Sequence, residues 1–120
     1  MQFSDLFEAR YINLETFRAN GEGVKTPVWQ VPHEGRVYVW TQPEAWKVKR
    51  IRGNERVRVC ICEQAGEPLS EWLEARARVL TGEADIAAQR ARLIEKYGAV
   101  MPSLKDESIP RVVIEIEAMD

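Results

Sequence analysis

Short segments of alternating apolar and polar residues, separated by turn residues, constrain the fold of this chain most strongly. In residues 56–62, three aliphatic side chains alternate with arginine and cysteine, and residues 72–80 and 111–117 repeat the alternation. Side chains two residues apart point to the same face of a β-strand. Each segment therefore predicts a strand with one apolar face.

Three further strands are predicted upstream of these. Residues 11–18 are rich in β-forming side chains, Asn20-Gly21 indicates a hairpin turn, and residues 24–31 form the returning strand. A turn at residues 33–36 leads into a third strand at residues 37–41. Because proline cannot donate a ladder hydrogen bond, we expect the backbone around Pro27 at a sheet edge or a bulge.

Two helices interrupt the strands. Pro43 suits the first position of a short basic helix that Gly53-Asn54 ends, and residues 83–97 are good helix formers followed by Gly98. Six strands, joined mostly by hairpin-length turns, with a helix after the third and another after the fifth, predict a mainly β fold, a small antiparallel barrel. The 120 residues fit a single domain, 1–120.

The composition limits the possible partners. The chain is 45% apolar and 30% charged, as in soluble globular proteins. It has no apolar run of the roughly 20 residues that cross a bilayer, and its first residues lack a signal-peptide pattern, so we expect a cytoplasmic protein with no membrane partner. With a formal net charge of -2, it is not basic overall, and nucleic acid is not an expected partner.

Positive charge is concentrated in residues 41–58, which hold six of the chain's 17 Lys and Arg residues against two glutamates. A strand that ends at Thr41 and continues into a basic helix brings a hydroxyl, free backbone N–H groups and ammonium groups together. This combination commonly binds a phosphate. Charge alone, however, favours a solvated helix with exposed Lys and Arg side chains.

The sequence contains no self-sufficient catalytic set. The single histidine, His33, lies in a polar turn. The chain's only cysteines are Cys60 and Cys62, so one chain cannot supply four histidine and cysteine ligands for a zinc site. The two cysteines have poor spacing for a mutual disulfide and are predicted to be packed thiols. An enzyme built from this chain would need a cofactor to supply the reactive group.

Several short motifs occur in a characteristic order and spacing. They are T-F-R-A-N-G at 16–21, V-K-T-P-V-W at 24–29, W-T at 40–41, K-V-K-R-I-R at 47–52, N-E-R-V-R-V at 54–59, E-A-R-A-R-V-L at 74–80 and K-Y-G at 96–98. Together they resemble the pyridoxamine 5'-phosphate oxidase-like, FMN-binding split-barrel superfamily, and within it the short coenzyme F-420 (deazaflavin)-dependent oxidoreductases.

The resemblance implies a six-stranded split β-barrel, a homodimer, and cofactor sites for coenzyme F-420 or FMN in the clefts between the subunits. The cofactor ring would be lined by Thr26, Pro27, Val28 and Trp29. The cofactor phosphate would be surrounded by Thr41, Lys47, Lys49 and Arg50. Trp72 would reach the site from the partner subunit.

The implied function is hydride transfer between the bound deazaflavin or flavin and a small unsaturated or carbonyl-bearing molecule. An alternative is a non-catalytic flavin- or deazaflavin-binding or carrier protein of the same fold, because no acid or base is identifiable near the proposed ring. Pyridoxamine phosphate oxidases carry a C-terminal extension with Arg and His for the substrate phosphate. This sequence ends at Asp120, after its last predicted strand, so we expect a different substrate.

Overall fold

The computed structural model describes residues 1–98 and 108–119. A short 3-10 helix, Phe3–Leu6, precedes the sheet, and the two α-helices are α1 (Trp46–Gly53) and α2 (Glu83–Tyr97). The strands are β1 (Tyr11–Phe17), β2 (Gly23–Trp29), β3 (Val31–His33), β4 (Arg36–Thr41), β5 (Arg56–Ile61), β6 (Leu73–Leu80) and β7 (Val112–Ala118).

All seven strands belong to one antiparallel sheet in the order β2-β1-β5-β6-β7-β4-β3. β2 and β3 lie at opposite edges of this sheet, yet only Gln30 separates them in the chain. The sheet must therefore curl until its two edges meet at Gln30. This arrangement is the predicted split barrel, closed at one end and open where the edges diverge.

The prediction of six strands is wrong, because the expected strand at 24–31 is divided at Gln30. β2 pairs with β1, whereas β3 pairs with β4 on the other side of the barrel. The Gln30 side chain is fully buried, and its Nε2 donates to the carbonyl oxygens of Leu6 and Ala9 at 2.8 and 2.6 Å. The alternation pattern does not reveal this corner, because the backbone is extended on both sides of Gln30.

The interior of the barrel holds the main core, to which every strand except β3 contributes. Its buried members are Leu6, Ile12, Leu14, Val37, Val39, Val48, Ile51, Val57, Val59, Ala75, Ala77, Val112, Ile114 and Ile116, and Val28 of β2 packs against them. A second cluster lies outside the barrel, where α2 covers β3, β4 and β7. It consists of Val31, Tyr38, Leu93, Tyr97 and Val113.

Helix α1 begins later than predicted. Residues 42–45 form a turn, Ala45 is the extended residue before the helix, and Pro43 is not its first residue. The predicted stop is confirmed, because α1 ends at Gly53 and Asn54 is extended. Val48 and Ile51 anchor α1 to the main core, so the remaining faces of the helix carry its basic side chains. No helix in the described ranges is long and apolar enough to cross a bilayer.

Candidate functional site

Two backbone edges border the opening of the barrel. β2 is an edge strand along its whole length, because its one strand neighbour in the sheet is β1. β4 is longer than β3, so its residues 39–41 pair with β7 but have no partner in β3. β2 and β4 approach each other across this opening. Backbone groups there are not used by the described sheet, and Thr41 lies where β4 ends.

Pro27 lies on the free edge strand, as its missing N–H predicted. The register with β1 places Thr26 and Val28 opposite Leu14 and Ile12, on the face toward the barrel interior. Pro27 is opposite Asn13 on the outer face and is exposed. Thr26 and Val28 therefore face the barrel interior at the opening, whereas Pro27 leaves this part of the edge without one backbone donor.

The side chain of Trp29 packs against two tyrosine rings. Its ring lies 4.5 Å from the ring of Tyr97 and 6.0 Å from that of Tyr11, centroid to centroid. Trp29 thus contributes its backbone to the edge of β2, and its indole to the cluster beneath α2.

Trp72 lies just before β6, between two cationic side chains. Its ring is 5.2 Å from Lys25 Nζ and 5.3 Å from the Arg58 guanidinium carbon. In the sheet register, Lys25 of β2 and Arg58 of β5 are the residues opposite Glu15 of β1, one on each side. Trp72 therefore covers the outer face of the β2-β1-β5 part of the sheet in its own chain.

Lys47 and Arg50 are cations with no acidic partner in the described part of the chain. Lys47 is half-buried, and within the described residues its ammonium makes no hydrogen bond or ion pair. Its pKa is lowered by burial and, next, by the charge of Arg50. Arg50 Nε donates to the neutral hydroxyl of Thr16 at 2.6 Å, and its pKa is lowered by burial and then by Arg18. Positions three apart share one side of a helix, so α1 presents both charges together.

Lys49 has different surroundings. It is exposed, its Nζ lies 4.6 Å from the centre of the Trp46 ring, and Glu44 Oε2 is 3.9 Å away. The four residues predicted around a phosphate are therefore divided. Thr41 is buried at the end of β4, Lys47 and Arg50 share one side of α1, and Lys49 lies on its solvent face.

A cleft of about 660 Å³ lies between α1 and the turn that joins β1 to β2. Its lining residues are Phe17, Arg18, Ala19, Trp46, Lys49, Arg50, Gly53 and Asn54. Lys49 and Arg50 are predicted from the sequence, but the aromatic walls, Phe17 and Trp46, are not. The position of Trp46 one residue before Lys47 was the available signal, but alternation cannot show that the hairpin turn approaches α1.

The remaining reactive side chains are engaged or buried. Cys60 and Cys62 are free thiols, as predicted, and burial raises the pKa of both, that of Cys62 to about 11. His33 Nε2 accepts a hydrogen bond from Arg92 Nη2 at 3.0 Å. In residues 1–98 and 108–119, no group of three His, Cys, Asp or Glu side chains is placed to hold a metal ion. Because the pKa values of both thiols are raised, thiolate chemistry at neutral pH is disfavoured.

The sequence of this chain matches the model of a known protein family. The sequence model described as pyridoxamine 5'-phosphate oxidase matches residues 3–120, almost the whole chain. The chain belongs to the pyridoxamine 5'-phosphate oxidase family. A comparison of this oxidase-family chain with curated protein sequences gives no match.

Solved structures share the fold at low sequence identity. HutZ, the haem storage protein from Vibrio cholerae, has a TM-score of 0.73 and 16% identity over 98% of this chain and 86% of its own. An F420 reductase has a TM-score of 0.70 and 18% identity over 100% and 95%. A FAD-binding protein from Mesorhizobium loti has a TM-score of 0.70 and 19% identity over 96% and 85%. At these identities, the similarity shows the split barrel alone.

Proposed function

We propose that this oxidase-family protein is a flavin- or deazaflavin-dependent oxidoreductase. Coenzyme F-420 or FMN would be its cofactor, and a small unsaturated or carbonyl-bearing molecule its substrate. The observation that carries the proposal is Lys47, a half-buried ammonium with no hydrogen bond or ion pair to the described residues. The bound cofactor supplies the hydride donor or acceptor, and the protein supplies binding and orientation.

The basic residues fit the phosphate of such a cofactor. Removing a charge from water is costly unless it is paired, and here the neighbouring Arg50 is a second cation. A phosphate placed near both would pair with each charge and accept charge-assisted hydrogen bonds. Lys47 and Arg50 would make the main contacts, with the Thr41 hydroxyl and Lys49 beside them.

The free edge of β2 fits the ring of the cofactor. Unpaired backbone groups at residues 26–29 can donate to and accept from the polar edge of a planar ring, and Val28 closes the barrel interior behind it. In a homodimer, Trp72 of the partner subunit would cover the site from the opposite side. These contacts would hold the ring in one orientation and exclude water from its reacting face.

A carrier without turnover is the second candidate, favoured by the engagement of the side chains that could move a proton. His33 Nε2 is bonded to Arg92, and burial keeps both thiols protonated at neutral pH. Among proteins of similar fold, HutZ stores haem. Because the Nε2 of the chain's one histidine is already engaged, a flavin or deazaflavin is the better cargo here than haem.

Replacement of Lys47 tests the phosphate assignment. Lys47→Ala should weaken FMN or F-420 binding by about 1.5 to 3 kcal/mol, the scale of a hydrogen bond to a charged group, while the protein stays folded. Isothermal titration with each cofactor measures the loss, and circular dichroism checks the fold. Arg52→Ala is the matched control, because Arg52 is an exposed cation on the same helix. Equal affinities for wild type and Lys47→Ala would remove Lys47 from the site.

Turnover separates the enzyme from the carrier. Reduced cofactor, bound to the protein, is mixed with a panel of enones and quinones and its oxidation is followed by stopped-flow absorbance. An oxidoreductase accelerates oxidation with at least one acceptor over the free cofactor. A carrier binds the cofactor with the same dependence on Lys47 and accelerates none of the reactions.

A further inference from the structure

The cleft between α1 and the β1-β2 turn has walls of two kinds, aromatic and cationic. Phe17 lines it from the end of β1, and Trp46 lines it from the first turn of α1. The Trp46 side chain is 70% exposed. A single exposed tryptophan is ordinary, but two aromatic rings lining one cleft provide an apolar surface on which a flat molecule can pack.

All the charged side chains that line the cleft are positive. It is lined by Arg18, Lys49 and Arg50, and none of its eight lining residues, all within the described ranges, carries a carboxylate. Arg18 Nη1 is paired with Glu22 at 2.7 Å, and Lys49 has Glu44 at 3.9 Å. Arg50 is bonded through Nε to the neutral Thr16 hydroxyl. Among the residues that the structure describes, Arg50 is therefore the cleft cation without a carboxylate partner.

We propose that this cleft binds a planar aromatic monoanion, such as an aryl carboxylate, as a ligand distinct from the cofactor, and that Arg50 lies at the border shared with the proposed phosphate site. The aromatic body would pack between Phe17 and Trp46, and the carboxylate would accept hydrogen bonds from the Nη groups of Arg50, since its Nε is engaged by Thr16. The volume of about 660 Å³ lies within the range of small-molecule sites. The assignment does not depend on the identity of the cofactor or on turnover.

A neutral and an anionic probe of the same shape test the assignment on cofactor-free protein. 2-Naphthoate should bind in a calorimetric titration and 2-naphthamide should bind more weakly. Arg50→Gln should weaken naphthoate binding by roughly 10- to 100-fold and leave naphthamide binding unchanged, because only the anion uses the guanidinium charge. Trp46→Ala should weaken both probes by roughly 3- to 10-fold, because both lose the indole.

Two controls separate this cleft from the rest of the surface. Arg52→Gln, an exposed cation of α1 outside the cleft, should leave both probes unaffected. Trp46→Ala should also bind FMN and F-420 as wild type does. Absence of naphthoate binding, equal affinity for the two probes, or wild-type affinity in Trp46→Ala overturns the proposal. A loss of cofactor affinity in Trp46→Ala would instead make the cleft part of the cofactor site and overturn its assignment as a second site.

Discussion

Gly23 shows how one missing side chain accommodates a buried charge. Glu15 of β1 is 6% exposed, and its Oε1 accepts from Arg58 Nη1 at 3.0 Å. Its other carboxylate oxygen, Oε2, lies too close to the position of a Cβ on Gly23 for both atoms to fit. Glu15 can therefore lie across the first residue of β2, beside the Lys25 and Arg58 side chains that flank Trp72.

Gly23→Ala should destabilise the protein by about 1 to 3 kcal/mol, the usual range for an overpacked site. The added methyl group must displace the Glu15 carboxylate from its ion pair with Arg58. Urea denaturation followed by circular dichroism measures the change in the free energy of unfolding.

Gly53→Ala is the matched control for this substitution. A Cβ on Gly53 meets nothing within 4 Å, and Gly53 is the last residue of α1. It should leave stability unchanged or raise it by up to about 1 kcal/mol, because alanine favours helix. If both glycine variants had the same free energy of unfolding, the close packing of Glu15 against Gly23 would not contribute to stability.

Among the elements, the last turn of α2 fixes the corner between β2 and β3. Tyr97 Oη donates to the Gln30 carbonyl oxygen at 2.7 Å, and the Arg10 carbonyl oxygen, 3.0 Å from Oη, is an alternative acceptor. Lys96 Nζ also reaches the Gln30 carbonyl, at 3.1 Å, and the Ala9 carbonyl, also at 3.1 Å. The helix therefore satisfies the backbone acceptors that become available where the chain leaves one edge of the sheet for the other.

Tyr97→Phe should lower the free energy of unfolding by about 1 to 2 kcal/mol, since a buried carbonyl loses one of its donors while the aromatic packing on Trp29 remains. Tyr11→Phe is the control, because the Tyr11 hydroxyl has no hydrogen-bond partner in residues 1–98 and 108–119 and its ring also packs on Trp29. Urea denaturation of the two variants compares them directly. An equal loss in both would mean that the Tyr97 hydroxyl does not stabilise the corner.

For the whole molecule, the proposed cofactor clefts require a second copy of the chain. The described residues of one chain present the free edge of β2 and the cations of α1, and no described strand covers the opening of the barrel. A 120-residue chain also gains apolar burial by pairing. These features support the proposed homodimer.

Analytical ultracentrifugation should give twice the 13.8 kDa chain mass at micromolar concentration. Cofactor affinity should fall when the protein is diluted below the dissociation constant of the dimer, because half of each site would be lost. A monomer that binds the cofactor with undiminished affinity would contradict the shared site.

The sequence by itself determined the strands, both helices and the family motifs, because alternation, helix-forming residues and turn glycines act over a few neighbouring residues. It also identified Pro27 as an edge residue and Cys60 and Cys62 as packed thiols. Only the tertiary structure decided that Gln30 divides one predicted strand between the two edges of the sheet, since strand order depends on pairings between distant residues.

For the candidate site as well, the sequence determined one part and the tertiary structure decided the other. Local charge singled out Lys47, Lys49 and Arg50, but counting charges could not tell a paired cation from an unpaired one. The packing of α1 leaves Lys47 half-buried, with no hydrogen bond or ion pair to the described residues, whereas Lys49 lies near Trp46 and Glu44. Burial and the positions of neighbouring charges are properties of the folded chain, and they separate an anion-binding side chain from an ordinary surface lysine.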